Sequence, residues 1–200
     1  MHLTCEAVVC AVRPHGEHGA IVRLLTQPAG LMAGYVRGGR SRNLRPVLMA
    51  GNKVKAEFKA RHADQLASLA VELVDSRASL LADPMATAGM EWVTALSAAI
   101  LPEEQPYEGI FEALEGTLCA MMAAPSARRW ANAIVLFEGV VMHALGYGGR
   151  APERAEDWPA IFAELNGNAA RLSRHLLTDR QRDLLDVRAR MVERFKRAVA

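Results

Sequence analysis

Apolar residues alternate with polar ones over roughly the first eighty positions, and recur at helical spacing after them. Leu3 to Val12 predicts a first strand, carrying the run Ala7-Val8-Val9-Cys10-Ala11-Val12, and Arg13-Pro14-His15-Gly16 ends it. Ala20 to Thr26 predicts a second strand, with Ile21, Arg23 and Leu25 on one face and Val22, Leu24 and Thr26 on the other. Gln27-Pro28-Ala29-Gly30 connects it to a third strand, Leu31 to Arg37, in which Gly34 is expected to mark a bulge or bend. A helical turn is expected near Val47-Leu48-Met49. Lys53 to Ala60 then puts Val54, Ala56 and Phe58 on one side and Lys53, Lys55, Glu57 and Lys59 on the other. Leu66 to Asp75 alternates in the same way. Five short strands, antiparallel in style, are the size of an OB-type barrel.

The period changes after Asp83-Pro84. Thr87 to Leu101 repeats apolar residues at Met90, Trp92, Val93, Leu96 and Ile100, as a helix with a buried stripe does. Tyr107 to Ala123 predicts a second helix. Ser126 is the expected N-cap of a third, which runs to about Leu145 and is apolar on nearly all sides; it belongs in the centre of a helical body. Gly146-Tyr147-Gly148-Gly149 stops it, and Arg150 to Asp157 is a polar linker. Asp157-Trp158-Pro159 opens a short helix that Gly167-Asn168 is expected to end near Leu165. Thr178 caps a last amphipathic helix reaching Arg197. The predicted class is thus α+β in two domains: a barrel over 1–80 and an all-α domain over 81–200.

Composition narrows this further. With 51% hydrophobic and 23% charged residues the chain has ample material for a core. No long uncharged apolar run suggests a membrane span, and the early Glu6 without a basic leader argues against a secretory signal. Cys5, Cys10 and Cys119 are an odd set without paired spacing, so buried thiols in a reducing cytosol are expected rather than disulfides or a structural zinc. The net charge of +2 is unevenly placed: about +5 falls in residues 1–82 and −3 in residues 83–200. A nucleic-acid-facing front and a protein-facing back show that asymmetry; so does ordinary scatter of solvated charge.

Motifs for catalysis are missing. No Gly-x-Ser-x-Gly, His-Glu-x-x-His or P-loop ending occurs, and Glu17-His18 reads as a solvated loop pair. No enzyme, metal or cofactor is expected. The basic front is a better lead. Arg37, Arg40, Arg42 and Arg45 cluster on a strand end and the loop after it, and guanidinium groups grip phosphates in forked geometry. Gly38 and Gly39 let that loop adapt. Lys53, Lys55 and Lys59 add a row of point charges on one strand face. Stacking partners are scarce, since Phe58 belongs to the core pattern and Tyr35 fits either core or surface. An adaptor whose barrel holds protein or RNA is the alternative to a DNA-binding role.

These residues resemble a known family. Glu17-His18-Gly19-Ala20-Ile21-Val22-Arg23-Leu24-Leu25-Thr26, Gly30-Leu31 and Val36-Arg37-Gly38-Gly39-Arg40-Ser41-Arg42 are similar to the amino-terminal signature of the RecO family of bacterial recombination mediators. Phe137-Glu138 and Leu145-Gly146-Tyr147 resemble its helical domain, and the order of barrel then helices matches along the chain. The resemblance implies a protein that binds single- and double-stranded DNA and anneals complementary strands. With RecR, it helps RecA replace single-strand-binding protein (SSB) at gaps, in the cytoplasm at the nucleoid. It implies DNA contacts for Arg37, Arg40, Arg42 and Arg45, and for Arg23 less directly. It also implies a site on the helical domain for the acidic carboxy-terminal tail of SSB, for which Arg128 and Arg129 beside Trp130 are the expected cationic spot. Two departures stand out. No four-cysteine zinc module follows Leu145-Gly146-Tyr147, so no zinc is expected; and the chain is short for the family, with a trimmed carboxy-terminal part expected.

Overall fold

A computed structural model describes residues 1–62, 65–123, 127–148, 154–155, 157–177 and 182–199. Ser126 and Thr178, the expected N-caps, lie outside the described residues, as do Gly149 and most of the 150–157 linker. The chain forms two compact units. One comprises Met1–Ser79 with Ser97–Pro106; the other comprises Leu80–Leu96 with Tyr107–Ala200.

The first unit is a closed barrel of β1 (His2–His15), β2 (Gly19–Thr26), β3 (Gly30–Val36), β4 (Lys53–Lys59) and β5 (Ala67–Asp75), in the spatial order β1-β2-β3-β5-β4. The pairings are antiparallel except β3 with β5, which is parallel. β1 is longer than its apolar run suggests because it serves two neighbours. His2 to Val8 pairs with β4, and Ala7 to His15 pairs with β2. The irregularity that bends β1 falls between Val9 and Ala11. Gly34, expected to mark a bulge, pairs in regular register with Val22. It is needed for space instead, since a Cβ there would lie 2.7 Å from the Leu69 Cβ.

Period-two burial follows from the barrel closing around one face of each strand. Val9, Val22, Leu24, Val54, Ala56 and Phe58 are all fully buried in one cluster. The alternation fails at the end of β5, where Leu73 and Val74 are exposed. The segment after β3 turns back through backbone bonds from Arg45 N to Ser41 O and Leu48 N to Leu44 O, and Leu48 joins the barrel core. Asn52, wholly buried, secures its end. Its amide donates to the carbonyls of Pro46 and Val47, and its side-chain oxygen accepts from Arg77 N.

Ser97–Pro106 belongs with the barrel. Glu104 N donates to Leu31 O at 2.8 Å, and Arg23 donates to the Ala98 carbonyl and to the Glu103 carboxylate.

A 3-10 helix, Ala78–Ala82, precedes five α-helices: α1 (Pro84–Ile100), α2 (Ile110–Ala123), α3 (Ala127–Ala144), α4 (Trp158–His175) and α5 (Arg182–Val199). The last turn of α1 groups with the barrel unit. In the helical unit α3 is buried along much of its length, through Trp130, Ala131, Ile134, Val135, Phe137, Glu138, Val141 and Met142. It stops in a Schellman arrangement: Gly146 at φ +83°, Gly146 N bonded to His143 O and Tyr147 N to Met142 O. α4 corrects the expectation of a short helix. It starts where predicted, with Asp157 accepting from Ala160 N, but continues through Gly167-Asn168 to His175. Asn168 is buried and donates to Val135 O and Glu138, so tertiary contacts override the breaker signal.

At the centre of this unit Glu138, fully buried, accepts from Trp92 Nε1 at 2.8 Å, from Asn168 Nδ2 at 3.0 Å, and from Arg188 Nε at 2.7 Å and Nη2 at 2.9 Å. One carboxylate thereby ties together α1, α3, α4 and α5, with every oxygen satisfied as its burial demands.

Candidate nucleic-acid interface

The arginine loop is held at both ends by the barrel. After β3, Gly38 adopts φ +68°, which favours glycine, and Gly39 sits where a Cβ would come within 2.8 Å of the Ala20 Cβ. Gly39 N donates to Val36 O, Ser41 N to Gly38 O and Arg40 N to His18 O. The Arg40 Nη1 donates to Glu17 O at 3.0 Å, which joins the loop to the β1–β2 hairpin. The glycine pair is therefore required by a tight turn and a close approach.

Arg37, Arg40, Arg42 and Arg45 are all exposed on this loop. Among the described residues no carboxylate lies in ion-pair range of any of them. The lysine row differs. Lys53 pairs with Glu6 at 2.7 Å and Lys59 with Glu57 at 2.8 Å. Lys55 stands in register between Glu6 on β1 and Glu72 on β5. The bond from Lys59, reinforced by one from His2, holds the Glu57 carboxyl below the usual range. Two of the three lysines on the outer face of β4 are thus paired, whereas among the described residues the loop arginines face no carboxylate in ion-pair range. Arg23 is engaged in yet another way, forked onto Glu103 and the Ala98 carbonyl.

In the helical unit Trp130 is only 3% exposed and packs against Phe195, with ring centroids 5.0 Å apart. Arg128 and Arg129 are exposed at the start of α3. Arg129 borders a groove of about 350 Å³ walled by Ala120, Ala123, Ala133 and Leu136, and Arg154 lines it as well. Sequence spacing gave no sign of Arg154. It is brought there by Asn132, whose amide donates to Ala155 O at 2.9 Å and whose oxygen accepts from Ala155 N at 2.9 Å.

Burial pushes the Cys10 thiol up to about 12, and raises Cys5 more modestly. Among the described residues no group of three or more His, Cys, Asp or Glu is placed to hold a metal ion. No described helix is long and apolar enough to cross a membrane.

Two family models match the chain: "Recombination protein O N terminal" over residues 1–77 and "Recombination protein O C terminal" over residues 81–153. Over 149 residues the chain is 42% identical to the DNA repair protein RecO of Phenylobacterium zucineum, covering 74% of this chain and 60% of the relative. It is 41% identical over 149 residues to that of Rhodospirillum centenum, covering 74% and 58%. To that of Nitrobacter hamburgensis it is 41% identical over 149 residues, covering 74% and 57%. The chain thus spans about 60% of the length of the curated relatives it matches.

Proposed function

The chain belongs to the RecO family, and from that premise we propose that it is a DNA-binding protein of repair and recombination that acts without catalysing a covalent step. Residues 1–80 serve as the DNA-binding domain and 81–200 as the partner-binding domain. The observation that carries this reading is the contrast in charge. Among the described residues Arg37, Arg40, Arg42 and Arg45 are exposed with no carboxylate in ion-pair range, while Lys53 and Lys59 are paired with Glu6 and Glu57. Guanidinium groups on a loop anchored at both ends suit a phosphate backbone, and a binding mode built on them is tolerant of sequence and sensitive to salt. Arg23 is left out of the surface because its guanidinium is already taken.

Annealing of complementary strands follows from a cationic surface that screens the repulsion between two backbones. Cooperation with RecR in loading RecA onto SSB-coated strands, at the nucleoid, completes the proposed role. The groove beside Arg128, Arg129 and Arg154 is the proposed seat of the SSB tail. Its guanidinium groups would take the tail's carboxylates, and Ala120, Ala133 and Leu136 its apolar end. Trp130 is buried against Phe195 and does not line that groove.

Complementary strands coated with SSB provide the test. The chain should speed their annealing, and substitution of Arg37, Arg40 and Arg42 by alanine should remove most of the gain. No acceleration by the wild-type chain would refute the reading.

A further inference from the structure

One residue on the barrel supplies what the arginines lack. Tyr35 lies in a single cross-strand row with Ile21 and Arg13, because Arg13 pairs with Ile21 and Ile21 with Tyr35. Directly opposed residues of antiparallel strands project from the same face. This face is the outer one, since the alternate residues Val22 and Val36 are buried in the core cluster. The tyrosine ring crosses over the start of β2, where a Cβ at Gly19 would lie 2.3 Å from its Cε2. The exposed ring of His15 stands nearly perpendicular to it, with centroids 5.9 Å apart at 80°. Arg37 follows two residues later, and Arg40 reaches back to the same hairpin through Glu17 and His18. A half-buried aromatic ring, fixed from beneath and two residues before the exposed Arg37, is thus set on the rim.

We propose that Tyr35, seated on Gly19 and braced by His15, is a base-stacking platform that makes this rim take unpaired nucleotides rather than duplex. The inference rests on the DNA-binding reading above. Arginines alone bind any phosphate chain, paired or not. A π-face flanked by cations adds affinity only for a base that is free to leave its own stack, and such stacking tolerates every base. Glycine at position 19 is part of the device: its missing side chain is the space the ring occupies.

The test measures fluorescence anisotropy of the full chain with labelled oligothymidylate, with an oligomer of equal length whose central positions are abasic, and with duplex. The wild-type chain should prefer the intact oligomer to the abasic one by roughly 5- to 100-fold. Tyr35→Leu should bind both alike, with abasic and duplex affinities and the salt dependence unchanged, and Tyr35→Trp should restore the preference. Gly19→Ala, which displaces the ring without touching a charge, should lower the preference as well. Since the abasic arm reports a folded, cationic surface, a merely structural tyrosine would not change the ratio. A wild-type chain that binds both oligomers equally, or a Tyr35→Leu chain that keeps the preference, overturns the stacking platform while leaving the arginine surface standing. A wild-type chain that binds no oligomer at all overturns both.

Discussion

Glu138 and Arg188 show at single-residue scale how costly a buried charge is to strand. Either partner removed alone leaves the other ionised inside the helical unit, 0% and 6% exposed at the side chain respectively. Breaking such a pair costs about 3–5 kcal/mol, although a well-packed apolar replacement of both can be nearly neutral. Urea unfolding should therefore find Arg188→Met destabilised by roughly that amount, and Glu138→Gln by at least as much, since its amide nitrogen would face two donors and the Arg188 guanidinium would stay charged. A smaller loss for the double change Glu138→Leu with Arg188→Met than for Arg188→Met alone identifies stranding as the cause. The cysteines give a second check. Cys10, buried and raised to about 12, carries almost no thiolate near pH 8, whereas Cys119 is exposed. A thiol reagent should label Cys119 first in the native chain and Cys10 only after unfolding; early labelling of Cys10 would contradict its placement. Nothing in the local sequence marks Glu138 as a four-way tie, because Trp92, Asn168 and Arg188 meet it from three other helices.

At the scale of elements, strands were the more legible. Their period-two pattern survives because one barrel face must be dry, and β2, β3, β4 and β5 begin and end within a residue or so of expectation. α4 was misread for a physical reason. Gly167-Asn168 has the composition of a helix end, but Asn168 is used inside the core and Gly167 is merely tolerated on the exposed side. A Cβ at Gly167 would meet only Arg171 Nη2, at 3.9 Å. Gly167→Ala should therefore stabilise the chain by about 0.5–1 kcal/mol, read as a higher urea midpoint at unchanged slope. Destabilisation would mean that the helix does end there. Gly34 was misplaced for a related reason: a strand glycine announces a bulge or a close neighbour, and only the partner strand decides which.

For the whole molecule, the positive front of the sequence was visible as a count, but not where the charge is effective. The arginines after β3 were legible because they are consecutive along one loop. The pairing of Lys53 was not, because Glu6 arrives from another strand. Arg23 was likewise paired by a residue eighty positions away. Arg154 is set at the helical groove by a segment that Asn132 holds from α3. The central claim is that the uncompensated arginines, and not the lysine ladder, bind DNA. It is tested most directly by anisotropy with labelled single-stranded DNA at 50 and 200 mM salt. About three phosphate contacts predict an affinity loss of roughly 20-fold across that range for the wild-type chain. Replacing Arg37, Arg40, Arg42 and Arg45 by alanine should weaken binding at low salt and leave it almost independent of salt, whereas Lys53→Ala with Lys55→Ala should change the slope little. An arginine variant that keeps the wild-type affinity and slope would contradict the claim.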